Sequence, residues 1–148
     1  MESKVFTLEE ANTLIPTLEL RLPKLLQTKR ALSDYVSSLV KKGINVESLF
    51  GMTDLVDDDL VAAKTELEKL GNNLQGELAA IQELGCVVKD MELGLIDFVG
   101  QVGLEQVYFC WQLGEPTIRY WHGLQESFAD RKALFEEDEN DKGHQFYH

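Results

Sequence analysis

Basic residues are scarce in this chain: 14 lysines and arginines stand against 26 acids, for a net charge of −12. That deficit argues against a nucleic-acid binder, which needs a basic face to neutralise phosphates. It equally disfavours docking on an anionic membrane. There are only two cysteines, Cys86 and Cys110, so no disulfide framework is expected and a reduced, cytoplasmic location is the simplest reading. No apolar run approaches the ~20 residues of a membrane span, and Met1 to Phe6 has no apolar stretch of signal-peptide length. Internal repeats and zinc-finger spacings are also missing. What is present is a hydrophobic content of 44%, enough for a core, in a length of 148 residues that suits one domain.

The first helix announces its start. Thr7-Leu8-Glu9-Glu10 reads as a capping box, with Phe6 and Ala11 placed for a hydrophobic staple. Apolar residues then recur at Leu14, Leu18, Leu22, Leu25, Leu32, Val36 and Leu39, a spacing of three to four that predicts an amphipathic helix. Pro16 and Pro23 interrupt it, and each removes an amide and crowds the preceding turn, so a kink or break is expected near one of them. Lys41-Lys42-Gly43 makes a good terminus, with cations at the negative pole and a glycine to turn on. Residues 44–53 form the connection, where Leu49 and Phe50 are placed to tuck onto the hairpin tip.

The second helix is expected from Thr53 or Asp54, with its stripe at Leu60, Ala63, Leu67, Leu70, Leu74, Leu78, Ile81 and Leu84. Asp57-Asp58-Asp59 reads as acids favoured by the helix dipole, since no EF-hand spacing follows. Gly71 and Gly76 inside the helix mark either a soft spot or the close approach of another backbone. Gly85 closes it. Ile15, Leu20, Leu26 and Val40 widen the apolar face of the first helix beyond what a two-helix hairpin covers, so the C-terminal half, a second copy, or both should cover it.

After Gly85 the pattern shortens to β-rich runs: Cys86–Lys89, Leu95–Val99 and Glu105–Gln112, the last two joined by a Gly100/Gly103 loop. Glu115-Pro116 then predicts a short helix through about Phe128, with proline in the first turn. Residues 136–141 are almost all acidic, and 136–148 read as an acidic disordered tail in which His144 and His148 carry no signal. The expectation is an α+β protein, mainly α, with a long antiparallel helical hairpin packed with a small antiparallel β-sheet and a short C-terminal helix. It occupies residues 1–135 as a single domain, with 7–85 the hairpin and 86–135 its cap.

Three strings carry a resemblance: Gly94-Leu95-Ile96-Asp97-Phe98, Val107-Tyr108-Phe109-Cys110-Trp111-Gln112-Leu113-Gly114-Glu115-Pro116, and Tyr120-Trp121-His122. With the opening Phe6-Thr7-Leu8-Glu9-Glu10-Ala11-Asn12, they resemble a prokaryotic family known as domain of unknown function 2203, over about residues 5–135. The resemblance implies no activity, because the family has none attached to it. The acidic tail falls outside the family pattern.

Chemistry is therefore sought in the residues. Asp97, Cys110, Glu115 and His122 combine two carboxylates, a thiol and an imidazole, a donor set suited to a divalent transition metal such as zinc. Strand alternation puts Asp97 opposite in facing to Ile96 and Phe98, and Cys110 opposite to Phe109 and Trp111, so hairpin pairing can bring Asp97 to Cys110. On the expected helix, His122 and Glu126 lie four apart and face one point. The plainer alternatives are that Glu115 caps the helix or pairs with Arg119, that Cys110 is a small buried hydrophobe, and that His122 binds a core carbonyl. Nucleophilic catalysis by Cys110 with His122 would need an accessible, electropositive thiol, and a cysteine between Phe109 and Trp111 is expected to be buried. Two functions from different classes follow. One is a non-catalytic interaction protein that associates through its helical hairpin, as a homodimer or with a protein partner. The alternative is a metal- or small-ligand-binding protein centred on His122, Glu115, Asp97, Cys110 and Glu126, with enzymatic activity left open.

Overall fold

The computed structural model describes residues 4–137 and 142–145, with side chains over 4–135. The chain divides into two compact units, the first formed by the residues before and after Pro23–Ala79 and the second by Pro23–Ala79 itself. The dividing points lie inside the segment 7–85 expected to form one hairpin. The protein is α+β and mainly α. Among the described residues, no helix is long and apolar enough to cross a membrane.

In the first unit, helix α1 (Leu8–Asn12) opens on the expected capping box: the Thr7 hydroxyl accepts from the Glu10 amide at 3.0 Å, and the Glu10 carboxylate accepts from the Thr7 amide at 2.9 Å. Phe6 and Ala11 are both buried. The chain breaks at Thr13–Leu14 and restarts as α2 (Ile15–Lys41). Pro16 explains the break: it has no amide to bond the carbonyl four residues back, and its ring fits only a first turn. Pro23 is carried inside α2 without ending it.

Helix α2 ends at Lys41 and turns on Gly43 at φ +82°. The connection is not a plain loop, for it contains helix α3 (Val46–Gly51), capped by the Asn45 side chain on the Ser48 amide. Leu49 is buried while Phe50 is 50% exposed. Helix α4 (Asp58–Gln82) starts four residues later than Asp54, because Asp57 is the residue whose carboxylate caps Asp59 and Leu60. Within Pro23–Ala79 the two long helices pair antiparallel. Thr28 donates to the Glu77 carboxylate at 3.0 Å, while Leu39 shares a core cluster with Leu49, Ala63 and Leu67. A methyl group added at Gly71 or Gly76 would meet nothing within 4 Å. Among the described residues nothing approaches a side chain at either position, which leaves the soft-spot reading.

The remainder of the first unit is a five-stranded antiparallel sheet in the order β1-β2-β3-β4-β5. Its strands are β1 (Val87–Asp90), β2 (Leu95–Val102), β3 (Glu105–Gln112), β4 (Tyr120–Gly123) and β5 (Lys132–Ala133). The β2–β3 hairpin forms as expected, with Asp97 opposite Cys110 and Phe98 opposite Phe109. Gly100 lies within β2 and not in the turn, which falls at Gly103 with φ +63°. A Cβ on Gly100 would sit 2.2 Å from the Phe109 ring, so this glycine makes room for the aromatic.

One expectation fails outright: residues 115–128 form no helix. Tyr120–Gly123 is strand β4, paired with Val107–Cys110, and only a single 3-10 turn follows at Phe128–Asp130. The aromatic run Tyr120-Trp121-His122 suits a pleated surface, and pairing with β3 outweighs a first-turn proline that also fits a bend. Ile96, Phe98, Val107, Phe109 and Trp111 form one buried face of the sheet, against which the Phe6 ring stands edge-on to Phe98 at 5.2 Å. Strand β6 (Phe135–Glu137) pairs with β7 (Lys142–Gln145); residues 138–141 and 146–148 of the expected tail lie outside the described residues.

Candidate metal centre

The opposite face of the same sheet carries the polar groups. Asp97 sits in the middle of β2, directly across from Cys110 on β3, and His122 on β4 lies across from Tyr108. The alternation that sends Ile96, Phe98, Phe109 and Trp111 to the apolar side sends these three to the other. Asp97 is 1%, Cys110 1% and His122 2% exposed. One carboxylate oxygen, the thiol sulfur and one ring nitrogen all lie within 4.8 Å of one another.

The histidine is held at both nitrogens. His122 Nδ1 is 2.9 Å from the Gly123 carbonyl oxygen, and a carbonyl only accepts, so Nδ1 carries the proton. Nε2 is 3.0 Å from Asp97 Oδ2. In the neutral imidazole that nitrogen presents a lone pair to a carboxylate oxygen, which is repulsive unless a cation stands between them, either a proton or a metal ion. Burial pushes the Asp97 carboxyl above the usual range, with His122 and then Lys89 opposing the shift. The Cys110 thiol is pushed up to about 12, first by burial and then by the Asp97 charge, while Arg131 works against both. A thiol so protonated and so buried is a poor nucleophile, so the Cys110–His122 catalytic pairing loses its basis.

Two of the five sequence-selected residues stand apart from the cluster. The Glu115 carboxylate accepts from the Gln112 amide at 2.7 Å and forms a forked pair with Arg131 at 3.3 and 2.9 Å; its partner is Arg131 and not Arg119. Glu126 lies close by but not on the expected helix. Its carboxylate accepts from the Gly123 amide at 2.6 Å and from Lys132 at 2.7 Å. Together with Asp97, Cys110 and His122, Glu126 lines a cavity of about 310 Å³, with Lys89, Leu95 and Phe128 also in its walls. A larger cavity of about 800 Å³ runs along the N-terminal segment beside Phe6, Asn12 and Phe109, but Glu9 is the one titratable group among its described walls. The smaller cavity, not the larger, is the one where potential donor atoms converge.

Lys89 and Arg131 went unnoticed in the sequence. The Lys89 ammonium lies 4.7 Å over the Tyr108 ring, and that ring is 5.4 Å from His122. Arg131 is held between Tyr120 and Phe128, 4.1 and 4.2 Å from their centroids, and hydrogen-bonds Cys110. A signal for Lys89 existed in the alternation of β1; none existed for Arg131, which arrives from a bend.

The donor set fits a borderline-soft ion. Tetrahedral zinc with bonds of about 2.0–2.3 Å needs ligand atoms roughly 3.3–3.7 Å apart, so the Asp97–His122 contact of 3.0 Å would have to open slightly and the Cys110 sulfur, within 4.8 Å of both, to draw in by up to about 1 Å. The Nδ1–carbonyl bond is the outer contact that fixes a ligating imidazole. No curated protein and no solved structure gives a significant match to this chain. The family suggested by its central strings does match, over residues 4–134, and the chain belongs to that family of uncharacterized conserved proteins, domain of unknown function 2203.

Proposed function

We propose that this protein binds a divalent transition metal of the zinc type through Asp97, Cys110 and His122. One observation carries the reading: three different donor types from three adjacent strands meet in a buried spot, with His122 Nε2 3.0 Å from the Asp97 carboxylate. A metal ion takes the place of the proton between His122 and Asp97 and takes the thiolate as its soft ligand. Glu115 is bound up with Arg131 and has no part in the coordination. Three protein ligands beside a cavity are the pattern of a site with an exchangeable fourth position, as opposed to a closed structural one. Elemental analysis after incubation with zinc and desalting should find about one ion per chain, and Cys110→Ser and His122→Ala should each lower the occupancy at least tenfold. Wild-type protein that emerges metal-free with unchanged stability would sink the reading and leave a hydrogen-bonded polar core.

A second reading is association through the helical unit. Its support is apolar surface: Val40 is 60%, Phe50 50% and Val56 92% exposed, with Met52 and Val61 also in the open. In this reading the acidic surface keeps nucleic acid and anionic membranes from being partners, and the setting is cytoplasmic.

A further inference from the structure

Building on the metal reading, we infer that the fourth coordination position takes the carboxylate of a small organic acid, with Lys89 as its countercharge. Four observations converge on this. First, Glu126, the one further carboxylate that could close the site from Phe128's side of the cavity, is pinned by the Gly123 amide and the Lys132 ammonium. Two charge-assisted bonds would have to break before it could swing inward. Second, Asp90, the other acid of the wall, has its carboxylate on the Leu93 amide at 2.9 Å. Neither acid of the rim is directed to the metal.

Third, Lys89 is held over the site. Its ammonium rests on the Tyr108 face, which is tilted against the His122 ring, and its charge is felt at Asp97. A dication with one carboxylate and one thiolate is neutral, so this ammonium leaves a positive opening that an anion fills. Fourth, the remaining walls include Leu95, which is buried, and the half-buried Phe128. An inorganic anion has no use for them, whereas the carbon skeleton of an organic acid does. The cavity, about 310 Å³, is at the small end of ligand sites, which run roughly 300–1,000 Å³, and it suits an acid of a few carbons. No covalent bond of the acid is made or broken; the carboxylate forms a reversible coordinate bond in the fourth position.

Cobalt(II)-loaded full-length protein tests this by visible absorption, because its ligand-field bands respond to the fourth ligand. Acetate, then butyrate, should shift the bands saturably, butyrate more tightly than acetate, while acetamide should leave them unchanged. Lys89→Met should retain stoichiometric cobalt and weaken butyrate roughly tenfold or more, the loss expected for one charge-assisted contact; Lys89→Arg should restore most of it. Cobalt uptake with no response to either acid overturns the inference but leaves the metal reading standing. Equal butyrate affinity in Lys89→Met overturns it as well. So does a changed acid-free spectrum in Glu126→Gln, which would mean that Glu126 is the fourth ligand. Failure to take up cobalt at all is a failure of the metal reading itself.

Discussion

Burial sets the proton affinity of both cysteines, and Cys86 gives the cleaner measurement because it stands outside the donor cluster. It is 3% exposed, its thiol donates to the Ile81 carbonyl at 3.5 Å, and burial pushes its pKa up from 9.0 to about 11. Between those values the unfolded thiol has lost its proton while the folded one keeps it. The unfolded state then binds fewer protons, so stability falls as pH rises through this window. The expected loss from Cys86 is about 2–3 kcal/mol in total, seen as a falling urea midpoint from pH 9 to pH 11. Cys86→Ala should flatten that share of the slope at metal-free protein; an unchanged slope would show that Cys86 is not its source. Cys110 adds to the same trend up to about 12. Asp97, Cys110 and His122, the three groups that converge in the structure, were all selected from residue types. Glu115 was selected with them but pairs with Arg131, which comes from a bend with no sequence signature.

Helices and strands were readable to the extent that their signals were local. The capping box at Thr7, the stop at Gly43 and the β2–β3 pairing all rest on residues a few positions apart, and all appear in the structure. Strand β4 did not announce itself, because Glu115-Pro116 is as good a helix start as it is a bend. The choice was made by hydrogen bonds to β3, and those are not local. Glycines at this scale divide by surroundings. Gly71 and Gly76 lie in a helix facing open space, so Gly71→Ala and Gly76→Ala should each stabilise by about 0.5–1 kcal/mol. Gly100 faces the Phe109 ring at 2.2 Å from an added Cβ, so Gly100→Ala should destabilise by roughly 1–3 kcal/mol. Chemical denaturation of the three variants checks both signs at once, and a destabilising Gly76→Ala would mean that something covers that helix face in solution.

For the whole molecule, the division of labour is between a sheet unit that carries every donor atom of the candidate centre and a helical unit with exposed apolar side chains. The core cluster of the helical unit has Leu39, Leu49, Ala63 and Leu67 as its buried members. Val56 at 92% and Phe50 at 50% exposed lie outside it. If that surface serves self-association, light scattering of the full chain should give a dimer mass that falls towards monomer in Phe50→Glu/Val56→Glu. A strict monomer at high concentration removes self-association. Zinc occupancy of the double variant should match that of the wild type, since no donor atom belongs to the helical unit.

Sequence alone was sufficient for the elements whose causes are short-ranged: apolar spacing for α2 and α4, caps and glycines for their ends, alternation for the two faces of β2 and β3. It also supplied the donor types and the face on which Asp97 and Cys110 stand. Only the tertiary structure decided that β4 exists, and with it that His122 meets those two across a three-strand row while Glu115 turns to Arg131. The physical reason is range. Capping and periodicity are settled within a few residues, whereas a strand at residues 120–123 depends on a ladder with 107–110, and a coordination site depends on three such strands at once.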